Sequence, residues 1–536
     1  MSISRRSLLA AGGFGVLTGA AALYGPLATV SAKSASRLDS SRMPVPFRQK
    51  FVIPPFLAPY KRGIDPGDGQ PVNYYRVTEQ STTMEIVPGI KTPILGYNGV
   101  FPGPTISNDQ GTHAVVTMRN QLPRKHPVLG TPIATSTHLH GSASLPQYDG
   151  YASDTTLPGF KKDYHYPNVQ DARTLWYHDH GVHFTAQNAY SGLAAMYIIH
   201  DPVEKALLPQ GEFDIPLAIS DIQFQANGSA MYDDHSHSGL WGDVILANGV
   251  PWPVMNVKRR IYRFRLLNCS ISRSFQFHLS TGDPLIIVAT DAGLMPKPQP
   301  VREYRHANSE RYEFLIDFSR YKPGQEIVLR NKSNPFNIDY NHTDKVMKFV
   351  VTDEPFNTND PTARTIPTVL ADSAVMHLAR SQSKITRNLQ VERKNGEWKL
   401  SGKSWADVIA SNFQWAWANP GLDDVEIWEI ENRSGGWFHP VHIHLVDFHI
   451  LSRNGKPAFA YEEGPKDVMY VGENEKIQVI MRFEHHKGRY MVHCHNLPHE
   501  DHDMMIQFRV GLKEGEFDPN DPIKAARPVW DTPAPA

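Results

Sequence analysis

Four stretches of the chain place two histidines two residues apart, and this spacing can bind metal ions. The stretches are THLHG (137–141), WYHDHG (176–181), HPVHIH (439–444) and HCHNLPH (493–499). Residues i and i+2 of a β-strand share one face, so each pair points two imidazoles the same way, roughly 7 Å apart. A lone pair is common and carries little information, but four pairs in one chain favour a multinuclear metal site. The pairs come from the first and last thirds of the chain, which predicts a site between two domains.

The last of these stretches encloses Cys494, one of only two cysteines. Strand alternation turns its thiol away from the two flanking histidines, so Cys494 is predicted to serve a different metal ion. His439 and His499 are left over from their clusters, and with Cys494 they form the His2Cys set of a blue-copper site. Met504 follows ten residues after Cys494, where a weak axial thioether is expected. Thiolate and thioether ligands select copper over harder metals.

The composition favours a chain of β domains. Net charge is −1, which excludes a global basic field for nucleic acid, and 38 glycines and 42 prolines suit short strands joined by turns. Similar strand patterns close at 195–202, 346–355 and 504–511, a domain-sized spacing. A strand also precedes each of them, but the one at 326–331 carries no histidine, so the middle domain is interpreted as a spacer. The predicted domains are 45–200, 201–360 and 361–515, followed by a tail at 516–536.

The N-terminus is typical of an export signal. Arg5 and Arg6 form a twin arginine before an apolar run of small residues that ends in Val30-Ser31-Ala32, an acceptable cleavage site. We predict that residues 1–32 are a twin-arginine signal that directs export of the folded protein to the periplasm or the extracellular space. The alternative is a permanent membrane anchor, which the glycines and Pro26 within the run disfavour.

These motifs resemble the three-domain multicopper oxidases of the laccase type, over roughly 45–515. Within that family the stretches 435–453, 493–505 and 339–351 are similar to bilirubin oxidases, and the spore-coat-type laccases are also similar. The resemblance implies three consecutive cupredoxin-like Greek-key domains, all-β, with four copper ions. It implies that His439, Cys494, His499 and Met504 bind the mononuclear type 1 copper, and that His138 and His442 bind the type 2 copper. The remaining implied ligands, for a coupled type 3 pair, are His140, His178, His180, His444, His493 and His495.

The resemblance also implies a reaction. An organic reductant gives single electrons to the type 1 copper, and Cys494 links that site to its histidine neighbours, where dioxygen becomes two waters after four electrons. Glu500 and Asp149 are the predicted proton donors, since both match family acids that serve proton delivery. Asp179 should face away from the cluster. We expect His439 on the substrate side with Trp437 and Phe438 as the pocket wall, and loops 454–465 and 355–375 around it.

Bilirubin, phenols, aminophenols and aromatic amines all remain open as the reductant, a small aromatic or tetrapyrrole molecule. One alternative is a cuprous oxidase in copper tolerance, but such enzymes often carry a methionine-rich insert, and the 15 methionines here show no cluster. A second alternative is a structural protein of this fold that has lost its copper, which the intact ligand motifs disfavour. The expected partners are dioxygen, the reductant and the twin-arginine machinery, with no nucleic acid, and the protein is expected to be monomeric.

Overall fold

Strands dominate the computed structural model, which describes residues 36–513, 515–524 and 528–530. These residues form six β-sheets, and the all-β prediction is confirmed. The export segment predicted at 1–32 lies outside the described residues. Among the described residues, no helix has both the length and the apolar character needed to cross a membrane.

Two sheets are built from the first third of the chain. One contains β1, β2, β3, β5 and β7, joined at its edge by a short strand near the C-terminus, and the other contains β4, β6, β8 and β9. The bounds are β1 (Lys61–Ile64), β2 (Pro71–Val87), β3 (Ile90–Tyr97), β4 (Ile106–Asp109), β5 (His113–Asn120), β6 (Thr137–His140), β7 (Phe160–Tyr166), β8 (Arg173–Asp179), α1 (Thr185–Tyr190), β9 (Ala194–His200) and α2 (Pro202–Leu207).

The middle third also forms two sheets, and these two sheets enclose the largest apolar core of the described residues. Its strands are β10 (Asp214–Ile222), β11 (Val244–Ala247), β12 (Val250–Pro251), β13 (Val254–Val257), β14 (Ile261–Asn268), β15 (Phe275–Leu279), β16 (Leu285–Thr290), β17 (Gly293–Val301), β18 (Tyr304–His306), β19 (Arg311–Asp317), β20 (Glu326–Asn331) and β21 (Lys345–Val351).

The last third repeats the two-sheet arrangement. Its elements are β22 (Thr386–Lys394), β23 (Glu397–Leu400), α3 (Trp405–Ala410), β24 (Val425–Asn432), β25 (His439–Ile443), β26 (Phe448–Arg453), β27 (Val468–Val471), β28 (Lys476–Arg482), β29 (Gly488–Cys494), α4 (Leu497–Asp501) and β30 (Met505–Val510). The final strand β31 (Val529–Trp530) pairs with β7, and Trp530 stacks on Phe160 at 3.9 Å, so part of the tail packs back onto the first third.

Burial patterns explain which strands carry the chemistry. Along β5 buried and half-buried residues alternate, as expected for a strand with one face on a core and one toward solvent. By contrast β8 and β29 are buried at every position. Each of these strands has one face on its own core, while the histidines of its other face meet histidines from the opposite end of the chain.

Local sequence preferences explain two turns and one short helix. The Asn-Gly dipeptides at 98–99 and 248–249 form turns: Asn98 and Asn248 have φ of 52° and 49°, and glycine with positive φ follows each. Asn-Gly is favoured at such turns because both residues tolerate the left-handed region. The short helix α4 lies within the HCHNLPHEDHD motif, with Pro498 in its first turn.

Candidate copper centres

Strand register brings the His-x-His pairs together. In the first third, β6 and β8 are antiparallel and His138 lies opposite His178. In the last third, β25 and β29 are antiparallel and His442 lies opposite His493. Directly opposed residues of neighbouring strands lie close enough to bind one metal ion together. The eight imidazoles of the four pairs therefore form one buried group, which we call the histidine cluster.

The histidine cluster contains one close pair and two triads, and His140 of one triad also lies within 4.8 Å of the pair. The pair is His138 and His442, whose Nε2 atoms lie 3.4 Å apart. In one triad the Nε2 atom of His493 lies 3.2 Å from that of His180 and 3.1 Å from that of His444. The ligand atoms of each triad all lie within 4.8 Å of one another, and the second triad is His140, His178 and His495. The pair matches the implied type 2 ligands and the triads match the implied type 3 ligands; these metal assignments stay predictions.

The chemistry of this donor set fits a cation. Burial lowers the pKa of His178 to about 3 and that of His180 to about 4, so the rings are neutral at physiological pH. Several buried ring nitrogens have no hydrogen-bond partner among the described residues, including Nδ1 of His140 and Nε2 of His178. Unpaired buried nitrogens are costly unless something accepts their lone pairs. Converging neutral imidazoles supply copper with suitable ligands.

A second group of donors surrounds Cys494 on the opposite face of β29. The Nδ1 atom of His439 lies 3.2 Å from the sulfur, Nδ1 of His499 lies 3.7 Å from it, and the two Nδ1 atoms are 3.3 Å apart. All three residues are fully buried. We call this group the cysteine cluster, and its three donors fit the trigonal set of a blue copper.

Met504 lies beside the cysteine cluster. Its side chain is fully buried in the same core as Cys494, and its carbonyl accepts the amide of Cys494 at 3.1 Å. The sequence prediction of an axial thioether is compatible with this position. Cys269, the other thiol, is buried elsewhere and directs its sulfur to the carbonyl of Ile219 at 3.3 Å.

Glu500 and Asp149 both contact one triad from outside. The carboxylate of Glu500 lies 3.0 Å from Nδ1 of His493 and 3.5 Å from Nδ1 of His180, so it bridges the two domains. Asp149 lies 2.8 Å from Nδ1 of His444. Burial alone would raise the pKa of Glu500, but the imidazoles of His180 and His493 outweigh it and hold the pKa at about 2. Burial raises the pKa of Asp149 well above its usual range.

Asp179 faces away from the cluster, as strand alternation predicts. Its carboxylate accepts the amide of Ser136 at 2.8 Å and the side-chain amide of Asn188 at 2.9 Å. Sequence reasoning missed another acid, Asp467, whose carboxylate lies 3.1 Å from Nε2 of His140. It precedes β27 in a stretch with no histidine, and no local pattern distinguishes it from a surface acid.

An open cavity of about 570 Å³ lies in front of the cysteine cluster. Trp437 lines it, and so does Ser238, whose carbonyl oxygen lies 3.0 Å from Nε2 of His499. Most of the other lining residues come from the middle third of the chain, at 231–241 and 336–340, with aromatic side chains from Trp241, Phe336 and Tyr340. Clefts of this size and apolar lining are typical of sites for small organic molecules.

This cavity is not bounded by all the residues predicted for the substrate side, and that prediction stays untested. His439 does not face the cavity: its Nε2 atom lies 2.8 Å from the hydroxyl of Ser434, and His499 is the histidine that reaches the cavity wall. Phe438 is buried and stacks on Tyr470 at 4.8 Å. The loops expected at 454–465 and 355–375 do not line this cavity, because a loop of the middle third covers His499 instead. That loop carries no motif that could have indicated it.

Comparisons with known proteins agree with this geometry. Residues 78–204 and 382–514 each match a multicopper oxidase family. A bilirubin oxidase of Albifimbria verrucaria is 39% identical over 508 residues, covering 90% of this chain and 85% of that protein. The chain belongs to the multicopper oxidases. The resemblance inferred from the sequence is thus confirmed, and copper is the metal that the family implies for the two clusters.

Other multicopper oxidases are similar along most of their length. A laccase of Bacillus subtilis strain 168 is 33% identical over 520 residues, covering 85% of this chain and 98% of that protein. Among solved structures, the McoA multicopper oxidase of the hyperthermophile Aquifex aeolicus is 28% identical with a TM-score of 0.75, covering 87% of this chain and 99% of that one. The fold of this multicopper oxidase is therefore that of three cupredoxin domains.

Proposed function

We propose that this multicopper oxidase couples the one-electron oxidation of an aromatic or tetrapyrrole reductant to the four-electron reduction of dioxygen to two waters. The observation that carries the proposal is the cavity of about 570 Å³ in front of His499. A single metal ion needs no apolar cleft of this size, whereas an aromatic molecule does. Of the described residues that line it, only Met231 carries a thioether, the ligand type that favours cuprous ion.

The two clusters would hold four copper ions, one in the cysteine cluster and three in the histidine cluster. Bound copper would store single electrons and would bind and reduce dioxygen. Cys494 ends β29 and is buried between His493 and His495, so the backbone gives a covalent path of a few bonds from one cluster to the other. Water is excluded from that path, since every residue of β29 is buried.

The chain itself must deliver the protons that dioxygen reduction needs. Neutral imidazoles bound to a metal cannot supply them, and carboxylates within hydrogen-bond reach can. Glu500 lies between His180 and His493, and one oxygen of Asp149 has no hydrogen-bond partner among the described residues. We assign proton delivery to these two acids: Asp149, whose pKa burial raises, would hold a proton, and Glu500, whose pKa is low, would relay protons as a carboxylate.

Oxygen uptake by the copper-loaded protein tests the proposal, with bilirubin, a phenol and cuprous ion supplied in parallel. We expect fast uptake with bilirubin or the phenol and little with cuprous ion. Uptake with cuprous ion alone would instead assign the protein to copper tolerance. The absence of uptake with every reductant, despite bound copper, would favour a structural role.

A pair of variants tests whether the reductant uses the cavity. Trp437→Ala removes an aromatic wall, and an aromatic contact contributes about 0.5–1.5 kcal/mol, so KM should rise about threefold to tenfold. Phe459→Ala is the matched control, because Phe459 is an exposed aromatic residue outside the cavity. Equal KM values for both variants would place the reductant elsewhere.

We also propose that the protein is exported through the twin-arginine route to the periplasm or beyond and acts as a monomer. The support is the Arg5-Arg6 pair and the apolar run that follows it. Changing both arginines to lysine should leave the folded protein in the cytoplasm, as measured by fractionation. Export at the wild-type level would contradict the proposal, and light scattering of the purified protein tests the monomer.

A further inference from the structure

Asp149 and Asp467 hold the histidine cluster from opposite ends of the chain in equivalent ways. The backbone carbonyl of Asp149 accepts a hydrogen bond from Nδ1 of His138, and its carboxylate lies 2.8 Å from Nδ1 of His444. Asp149 thus uses its carbonyl for a histidine of its own domain and its carboxylate for a histidine of the other domain.

Asp467 repeats this arrangement in the last third of the chain. Its backbone carbonyl lies 2.8 Å from Nδ1 of His442, and its carboxylate lies 3.1 Å from Nε2 of His140. A ring nitrogen that donates a proton leaves the other nitrogen free for a metal. Asp467 therefore selects Nε2 as the free nitrogen of His442 and Nδ1 as that of His140.

The two aspartates differ in their remaining partners. One carboxylate oxygen of Asp149 has no hydrogen-bond partner among the described residues. Both oxygens of Asp467 are bound by Arg311, whose guanidinium donates to them at 2.7 and 2.5 Å. A bidentate pair of this kind fixes the plane of the carboxylate as well as its position. Arg311 lies at the start of β19, in the middle domain that the sequence predicted to be a spacer.

Arg311 is itself held rigidly. It is fully buried, its Nε donates to the carbonyl of Thr174 at 2.9 Å, and a terminal nitrogen donates to the carbonyl of Asp291 at the same distance. Gly141, the residue after His140, packs directly on the ion pair: a Cβ there would lie 2.5 Å from the Asp467 carboxylate and 2.7 Å from the guanidinium. The guanidinium thus joins elements of all three domains at one point beside the cluster.

We propose that Arg311 is a positioning residue of the histidine cluster, acting through Asp467 to fix the ring orientations of His140 and His442. The inference rests on the proposed occupancy of that cluster by copper. Because His138 and His442 form the pair predicted for type 2 copper, the effect of Arg311 should appear there, while the cysteine cluster should be unaffected. The middle domain, which contributes no histidine to the cluster, would then hold part of the copper site.

Arg311→Lys is the first test, since lysine keeps the charge but cannot hold both carboxylate oxygens in a plane. We expect the hyperfine splitting of the type 2 copper in the electron paramagnetic resonance spectrum to change. Type 2 copper should also bind about 10- to 100-fold more weakly, as for other residues that orient metal ligands. The blue absorption of the cysteine cluster should match that of the wild type.

Arg263→Lys is the matched control. Arg263 is also fully buried in the middle domain and pairs with Glu313, at 2.7 Å from its Nε, but it touches no histidine. This variant should lose stability without any change in the copper spectrum. The comparison separates positioning from the general cost of disturbing a buried arginine.

Asp467→Asn keeps the test decisive if Arg311→Lys does not fold. The amide retains the size of the carboxylate but bonds Arg311 through one oxygen only, so the same change in the type 2 spectrum is expected. A wild-type spectrum and full copper content in either folded variant, with a stability loss like that of Arg263→Lys, would overturn the inference. A wild-type protein that binds copper only in the cysteine cluster would overturn both this inference and the proposed function.

Discussion

The cysteine cluster and the histidine cluster occupy opposite faces of one strand, β29, yet their surroundings differ in kind. In the cysteine cluster the outward ring nitrogens meet neutral oxygens, the hydroxyl of Ser434 and the carbonyl of Ser238. In the histidine cluster some ring nitrogens also meet backbone carbonyls, but others meet three buried carboxylates, Asp149, Glu500 and Asp467. Only the histidine cluster has acids in contact with its rings.

This difference matches the proposed division of work. A site that only passes electrons benefits from a rigid, apolar shell, and it needs no proton donor. A site at which dioxygen becomes water must receive protons, and acids within reach of its ligands can deliver them. The clusters also differ in origin: the donors of the cysteine cluster come from one domain, whereas those of the histidine cluster come from two. Each of the following experiments disturbs one cluster and asks whether the other responds.

Removal of the thiol should have the largest effect. Cys494→Ser replaces the ligand that defines a blue copper, so the blue absorption and oxygen uptake should fall below detection. The coppers of the histidine cluster should largely remain, because none of the eight histidines that would hold them is changed. Absorption spectroscopy and copper analysis check both parts. Retained blue colour in this variant would disprove the assignment of Cys494.

Glu500→Gln should slow turnover by about 100-fold or more, the usual contribution of a positioned proton donor. The blue colour of the resting protein should not change, because the carboxylate of Glu500 lies beside His180 and His493 of the histidine cluster. During turnover the colour should bleach, since reoxidation becomes the slow step. Stopped-flow absorption measures both.

The neighbouring Asp501 provides the control for this prediction. It is also buried, but its carboxylate accepts the amides of Thr185 and Ala186 at 3.0 and 2.8 Å, at the start of α1. Asp501→Asn should lower stability and leave turnover near the wild-type rate. Equal loss of turnover in both variants would mean that the acidic side chains here act through structure alone.

The donor atoms could be predicted from the sequence because β-strands have a fixed period. The two-residue spacing of His493 and His495 determines one shared face, and Cys494 between them must take the other. Strand alternation also predicted that Asp179 faces away from the histidine cluster. The all-β class followed from turn composition and repeated closing strands for the same reason: these signals are local.

The surroundings of the donors could not be predicted, because they depend on contacts between distant segments. Arg311 and Asp467 are 156 residues apart, and Ser238 and His499 are 261 residues apart. Neither contact leaves a spacing pattern in either segment. For the same reason the sequence could not show that His499, and not His439, lies beside the cavity, because a loop from another domain forms that wall.

Acid should destabilise the metal-free protein through its buried histidines. Burial lowers the pKa of His178 and of His439 to about 3, whereas an unfolded histidine titrates near 6.5. Between these values the unfolded state binds more protons, so the free energy of unfolding decreases as pH falls. The loss should approach about 1.4 kcal/mol per pH unit for each such histidine. Urea unfolding of the metal-free protein from pH 7 to pH 4 measures it.

A substitution within the histidine cluster sharpens this prediction. His178→Gln removes one titrating group, so the slope of stability against pH should become shallower by about 1.4 kcal/mol per pH unit below pH 6. If the stability of both proteins does not change with pH, the rings must bind protons as readily in the folded state as in the unfolded state, contrary to their burial.

The smallest expected effect is the release of protons when the protein binds metal. Burial raises the pKa of the Cys494 thiol well above its usual range, so the thiol is protonated before metal binds. A neutral histidine loses no proton when it binds a metal, whereas a thiol must lose one. Anaerobic loading with cuprous ion, which does not hydrolyse readily, should release about one proton per chain more from the wild type than from Cys494→Ser. The same release from both proteins would mean that the protons come from the histidine cluster, and the proposed contrast between a thiolate site and a neutral imidazole site would then be wrong.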